Sequence, residues 1–546
     1  MSVFDVKNAG FNPNLTKVET SDPVSADFMN GILGQLINND VAIMEAASSM
    51  FSSKNDQALF LLNLHKDGKK YGVHFDDFDI NPSSSGTRLN DAAGMVAYPS
   101  TDTERKQNDF EGVSVFYHIE VNGYVDSDGN FQVQYIDGID DEFSRTDADV
   151  WCLYLPQWIK ITIDAYGENK ILSDTRFDGS FPEGDAIMPD GTTVRKFVAI
   201  AKYQDSAESG SKINSVSGKN PSYNNSYNSL VTKAHLNGTQ YCATTFQDME
   251  RMNNLFDVAF ATRHSQSVMA GATSYYLQYT ATVTESGVER IVISNSNANN
   301  LVVGSTVSIG DATNDDRNAA ATYGIANRVQ ITKIETYDDN NKAVYVDNGG
   351  TTFSITSGTT KITTYPWKTG SCDGVLASCG SPNNNTNGKN PYVLFGVEYS
   401  LGQYEVIGNA FMLISDADTE TPYVCYDSAN LVSSPGASTT GYTKIGYNIA
   451  RTGQVWKFIS VLGYDSANPM ARWGTGVDAT ASTGYADAQY TDNETSGTRE
   501  ILALGVLSYG ANAGRRFAYL YIGLGNAYWD CGARLSASGR SAQAAA

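Results

Sequence analysis

Short runs of alternating apolar and polar residues, cut off again and again by turns, constrain this chain more than any other feature. A strand presents successive side chains to opposite faces, so such runs commit the backbone to strands with one buried face. The runs Phe60–Leu64, Val113–Val121, Phe131–Tyr135, Trp158–Ala165 and Arg195–Ala201 are separated by Asp-Gly, Asn-Gly and Pro turns. They predict an antiparallel β domain over residues 56–204. The pattern returns at Thr280–Val283, Arg290–Ser294, Leu301–Ile309, Val329–Ile334 and Ala343–Val346. That second set predicts a small inserted β domain, a barrel or sandwich, over residues 276–364. Residues 205–230 are mostly Ser, Asn, Gly, Lys and Tyr and read as a linker or long loop.

Two segments carry helical patterns. Ser21-Asp22-Pro23 can cap a helix from about Val24 to Met50. Within it Met29, Leu36, Ile43 and Met50 fall seven apart, with Ile32, Asn39 and Ala46 at the complementary spacing. The heptad fits a short coiled coil, trimeric or dimeric, whose register Asn39 would fix. It equally fits an amphipathic helix packed on its own domain. Residues 1–55 are thus an N-terminal segment with an oligomerisation helix. A second helix is expected from about Thr245 to Thr262, with Met249, Met252, Phe256 and Ala259 as an apolar stripe.

Composition removes several function classes. With 546 residues the chain exceeds one compact domain. A net charge of −22 disfavours a nucleic-acid binder, which needs basic groups to displace counterions. No apolar run approaches the roughly 20 residues of a membrane span, so no membrane insertion is expected. The first residues show neither a basic nor an apolar signal region, which points to cytoplasmic synthesis and release by another route. The six Cys are scattered; Cys372 and Cys379 could pair or stay free, and no zinc spacing is present. The five His are isolated. Asp126-Ser127-Asp128-Gly129-Asn130 hints at a calcium loop, but Phe131 stands where the glycine belongs, so a hairpin turn fits better. The acidic clusters at Asp76-Asp77-Phe78-Asp79 and Asp140-Asp141-Glu142 read as solvated loops. No catalytic residue, metal or cofactor is predicted.

The C-terminal third carries a family resemblance. Asn390-Pro391-Tyr392-Val393-Leu394-Phe395-Gly396-Val397-Glu398-Tyr399, with Gly402 and Gly408-Asn409, resembles a segment of lectin-like domains related to formylglycine-generating enzyme. Leu502-Ala503-Leu504-Gly505, Gly510-Ala511-Asn512-Ala513-Gly514 and Gly532-Ala533-Arg534-Leu535-Ser536 resemble the variable region of diversity-generating-retroelement target proteins. Gly484-Tyr485-Ala486-Asp487-Ala488-Gln489-Tyr490 looks like the segment that precedes that region. Asp22-Pro23-Val24 through Asn38-Asn39-Asp40 looks like the start of Gram-positive phage tail proteins.

The resemblance implies a multidomain, mainly β chain ending in an α+β C-type-lectin-like domain. That domain would begin at 231–275 and resume at 365–546, with its variable region at about 502–536. In such systems the adenines of template Asn codons are mutagenised, so Tyr, Ser, Ile, Val, Asp, Arg, Leu and Gly are reachable. The corresponding positions are Val506, Ser508, Tyr509, Tyr519, Tyr521, Ile522, Asn526, Tyr528 and Asp530, and each is Asn or reachable from it. Arg515 fits the same set. Gly514, Leu520, Trp529, Gly532 and Arg534 look like scaffold positions, whereas Val506-Leu507 and Cys531 depart from the family pattern.

The function implied is that of a phage tail-tip receptor-binding protein, a homotrimer held on the virion by other tail or baseplate proteins. It would bind a bacterial cell-surface receptor, protein or glycan, through the variable positions. Three Tyr and Ile522 make poor solvated surface but good contact area, since Tyr offers amphipathic area at little entropic cost. The alternatives are an enzyme of the formylglycine-generating or sulfoxide-synthase-like fold, and a structural tail protein with no receptor. The Cys pair or His triad of those enzymes is not evident.

Overall fold

The computed structural model describes residues 51–77, 83–188, 192–207 and 210–537. The expected helix at 24–50 and its heptad lie outside them. Ser53 accepts the Asp56 N–H at 3.2 Å and starts a helix over Lys54–Asn63. Ala58 and Leu62, one turn apart, form its buried contact. A strand expected at Phe60–Leu64 is therefore replaced by a helix: the Ser cap and the four-residue spacing prevail over the apolar run, and Phe60 and Leu64 are left exposed.

Most other alternating runs do form strands, and among the described residues these assemble into several largely antiparallel sheets. One five-stranded sheet runs in the order Thr87–Asn90, Tyr71–Asp76, Gly167–Ser173, Trp158–Asp164, Phe181–Pro182. A six-stranded sheet runs Cys242–Ala243, Arg534–Ser536, Val198–Gln204, Val150–Tyr154, His118–Val125, Phe131–Ile136. Asp126 caps the hairpin between its last two strands by accepting the Asp128 and Asn130 N–H groups. The C-terminal strand thus inserts into the sheet built by residues 118–204. The apolar core follows suit, with Trp151 and Leu153 buried in one cluster with Phe517 and Leu535. Residues 56–204 and the C-terminal part share this sheet and this core.

The segment 205–230 is not a solvated linker. Ile213, Ser215, Ser222, Asn225 and Ser226 are buried, and helix Tyr227–His235 begins within it under a Ser226–Ser229 capping box. Its polar composition serves buried hydrogen bonding, as when Ser215 Oγ donates to the Val150 carbonyl at 2.9 Å and Ser222 Oγ to Asp205 at 2.6 Å.

At the centre lies helix Phe246–Phe260, capped by Thr245, with every residue buried. Met249, Met252, Phe256 and Ala259 supply the expected apolar stripe. The opposite side is charged and must be paired to be buried. Arg251 meets Glu183 at 2.9 Å, Asp257 meets Lys170 at 2.6 Å, and Glu250 binds Arg516. Glu168 extends the network to Arg472 at 3.0 Å.

Residues 278–364 form a further six-stranded sheet, in the order Gln278–Thr280, Lys361–Thr364, Thr306–Gly310, Ala326–Thr336, Asn341–Asp347, Arg290–Ser294. Of the two expected forms, barrel or sandwich, the barrel is not formed: no ladder joins the two edge strands, although the Thr282 N–H, beyond the end of the first, donates to the Val292 carbonyl at 2.9 Å. Its core is separate but takes in Trp367, Leu401 and Leu507 from the surrounding chain.

Removing one member of a buried ion network strands the other charge. Glu250→Ala should lower the free energy of unfolding by on the order of 3 kcal/mol, read from urea denaturation, whereas exposed Glu104→Ala should change it by about 0.5 kcal/mol or less.

Candidate functional site

Strand Gly514–Leu520 organises the C-terminal surface. It pairs in parallel with Ala488–Thr491 and antiparallel with Leu502–Leu504, which sets Tyr519 beside both Tyr490 and Leu502. Alternation then divides its side chains: Ala518 and Leu520 enter the core around the central helix, while Phe517 and Tyr519 join the opposite cluster. Gly514 has φ 146, and a Cβ there would sit 1.9 Å from Asp487 Oδ1. Asp487 is fully buried, accepts the Arg516 N–H at 2.7 Å, and is pushed up to about 8 by burial, which that hydrogen bond only partly offsets. Glu500, buried nearby, accepts the Tyr227 N–H at 2.8 Å and is likewise raised by burial to about 8.

On the outer side seven rings converge. Tyr490 stacks on Tyr519 at 5.2 Å and 19°. Trp456 lies 4.6 Å from Tyr490 and 4.9 Å from Tyr509. Tyr521 stands 5.7 Å from Tyr490 and 5.8 Å from Tyr519. Tyr404 and Phe517 form the buried floor, and the Tyr404 and Tyr509 hydroxyls are hydrogen-bonded. Burial raises the Tyr509 phenol to about 12 and moves Tyr519 upward as well, so both stay neutral donors and acceptors at pH 7. Trp456, Tyr490, Tyr509 and Tyr519 are half-buried, and Tyr521 is 38% exposed.

The positions singled out in the sequence separate into three groups. Tyr509, Tyr519 and Tyr521 meet in the aromatic face. Ser508, Asn526 and Tyr528 are exposed around it, Tyr528 at 44%, and Asp530 is half-buried, with burial raising its carboxyl to about 6. Val506, Ile522 and Arg515 are buried and present no surface. Val506 and Ile522 pack in the core under the face. Arg515 Nε donates to Asn253 at 2.8 Å, and its guanidinium lies 4.5 Å over Tyr399, so it braces the strand from within. Of the scaffold positions, Leu520, Gly532 and Arg534 are buried, and Arg534 forms a double hydrogen bond with Glu405. Trp529 packs against the inserted sheet, 6.0 Å from Tyr365 and 5.6 Å from the Arg317 guanidinium. Sequence reading missed Trp456, Tyr490 and Tyr404. Alternation across Ala488 and Tyr490 could have flagged Tyr490; nothing local marks the other two.

All six Cys are free and buried, including Cys372 and Cys379. Among the described residues no group of three or more His, Cys, Asp or Glu is placed to hold a metal ion. None of the helices described is long and apolar enough to cross a membrane. No protein-family model matches the chain, and no curated protein matches it in sequence.

Asp487 and Glu500 keep their protons up to about pH 8 when folded, but release them near their ordinary values of 3.8 and 4.5 once unfolded. Between those limits the folded chain binds more protons, so stability falls as pH rises. Glu168 acts with the opposite sign: buried, but drawn down to about 2 chiefly by Arg472, it loses its contribution only below its ordinary 4.5. The urea midpoint should therefore drop from pH 5 to pH 8. Asp487→Asn, which keeps an acceptor for Arg516, should shallow that drop; an unchanged slope in the variant would remove Asp487 as a cause.

Proposed function

We propose that this chain is a phage tail receptor-binding protein, displayed on the virion, that attaches to a bacterial surface molecule through the aromatic face. The observation that carries the reading is the face itself: Trp456, Tyr490, Tyr509 and Tyr519, half-buried, packed ring against ring beside the exposed Tyr521. Such an array is a poor choice for inert surface and a good one for contact, because its rings are already ordered and lose little entropy on binding. The resemblance of the C-terminal segments to retroelement-diversified lectin-like domains supports the same reading. The contact residues are then Ser508, Tyr509, Tyr519, Tyr521, Asn526 and Tyr528, with Trp456 and Tyr490 as constant members.

Binding needs no chemistry at this face, and several copies on one particle turn modest affinity into firm attachment. A homotrimer joined through residues 1–55, and docked to other tail or baseplate proteins, would supply those copies. The excess of acidic residues keeps them soluble.

Trp456→Ala and Tyr521→Ala should each weaken binding of the labelled full-length protein to susceptible cells by roughly tenfold or more, because ring contacts concentrate binding energy. Substituting exposed Tyr166, remote in sequence, should leave binding unchanged. Wild-type binding by both face variants would overturn the proposal.

A further inference from the structure

Next to the aromatic face lies a pocket of different chemistry. Strand Ala326–Thr336 shifts register against Thr306–Gly310, and Arg328 at the shift has φ 50, a left-handed backbone rare for a residue with a Cβ. The Ser308 hydroxyl accepts the Arg328 N–H at 2.9 Å and secures the kink. Irregularities of this kind re-aim a side chain, and strain of this kind gathers at functional sites. Here the guanidinium is sent between Tyr223 and Tyr365, 3.9 and 4.7 Å from their ring centroids.

Arg328 is only 8% exposed, yet among the described residues no carboxylate pairs with it. Among the same residues its side chain makes one hydrogen bond, to Asn327 Oδ1 at 3.2 Å. Among the other buried arginines, Arg251, Arg472, Arg516 and Arg534 each meet a carboxylate and Arg317 donates to three backbone carbonyls, whereas Arg515 is held by Asn253 and Tyr392 and Arg263 lies over Phe75 and Tyr485. A buried guanidinium without an anion is costly, and two rings offset only part of that cost.

The side chain lines a pocket of ≈ 390 Å³ together with Ser222, Tyr223, Asn224 and Lys233, and among the described residues no carboxylate lines it. Lys233 is already neutralised by Asp205 behind the wall, so the unmatched charge is that of Arg328. Tyr223, 42% exposed, offers a ring face at the mouth. The Asn224 N–H donates to the Tyr528 carbonyl at 2.9 Å, so the pocket adjoins the exposed Tyr528.

We propose that this pocket is an anion subsite, in which Arg328 takes the carboxylate or phosphate of an acidic sugar whose ring rests on Tyr223. A planar guanidinium matches either group with two parallel hydrogen bonds, and aromatic faces suit the apolar side of a sugar ring. The subsite stands apart from the receptor proposal, since it would bind such a sugar even if the aromatic face bound nothing.

Calorimetric titration of the full-length protein at constant ionic strength tests it, with glucuronate, glucose 1-phosphate and neutral glucose as probes. At least one anionic sugar should bind at least about tenfold more tightly than glucose, and the two anions tell carboxylate from phosphate recognition. Arg328→Gln should lose that preference, and Arg328→Lys, keeping a cation but not the fork, should retain part of it. If Arg328→Gln does not fold, Tyr223→Ala on the exposed wall should weaken the preferred anionic sugar instead. Equal affinity for glucose, no binding of either anionic sugar, or wild-type affinity in the folded Gln variant (or, failing that variant, in Tyr223→Ala) would overturn the subsite. Loss of cell binding in Trp456→Ala with sugar binding intact would separate the two sites.

Discussion

The charged side of the central helix is the constraint on which the rest of the structure depends. Glu250 and Asp257 are met from one direction by Lys170 and from another by Arg516, while Glu168 ties Lys170 to Arg472. The partners come from strand Gly167–Ser173, from the segment around residue 472 and from strand Gly514–Leu520, so one buried network joins parts of the chain more than three hundred residues apart. Such networks add little net stability beyond what apolar packing would supply, because desolvation offsets attraction. Their effect here is on register. A one-residue slip of strand Gly514–Leu520 would pull Arg516 from its carboxylates and exchange the faces of Tyr519 and Leu520. The network beneath the sheet thereby fixes which rings appear above it.

That dependence explains what could be read from the sequence. Local alternation was enough for Phe131–Ile136, Trp158–Asp164 and Arg290–Ser294, because each strand is specified by its own pleat and turns. Helix Phe246–Phe260 showed its apolar stripe, but its charged side gave no hint of burial, since the partners are distant in sequence. Residues 205–230 resembled a linker because Ser and Asn serve both solvated and buried hydrogen bonding, and composition does not tell the two apart. Insertion of Arg534–Ser536 between Val198–Gln204 and Cys242–Ala243 is a wholly non-local event with no local signature.

The candidate site divides along the same line between local and non-local residues. Tyr509, Tyr519 and Tyr521 were legible through resemblance and through their spacing along a strand. Trp456 was not, and alternation could mark Tyr490 only as a strand residue, because it reaches Tyr519 by parallel pairing between separate segments. Val506, Ile522 and Arg515 fell on the wrong side of the surface because a codon-based pattern reports which residues can vary and says nothing about where side chains point. Arg328 was invisible for another reason: its position follows from a register shift that alternation treats as an ordinary strand residue.

The half-buried and the exposed positions of the site differ in what substitution costs. Tyr509 and Tyr519 are interlocked with Tyr404, Trp456 and Phe517, so replacing either disturbs several ring contacts at once. The side chains of Ser508, Asn526 and Tyr528 are exposed, so their identity can change with little effect on stability, although the Tyr528 backbone is held in a bridge to Asn225. The loop that bears Asn526 and Tyr528 is nonetheless held at both ends: Trp529 is packed against Arg317, in the loop that follows strand Thr306–Gly310, and Ile522 is buried in the core. A surface built this way would separate the requirements of folding from those of the proposed recognition. Buried positions hold the loop in place; for a receptor-binding face of the kind proposed, the packed rings would supply contact area while Ser508, Asn526 and Tyr528 alter what that area selects.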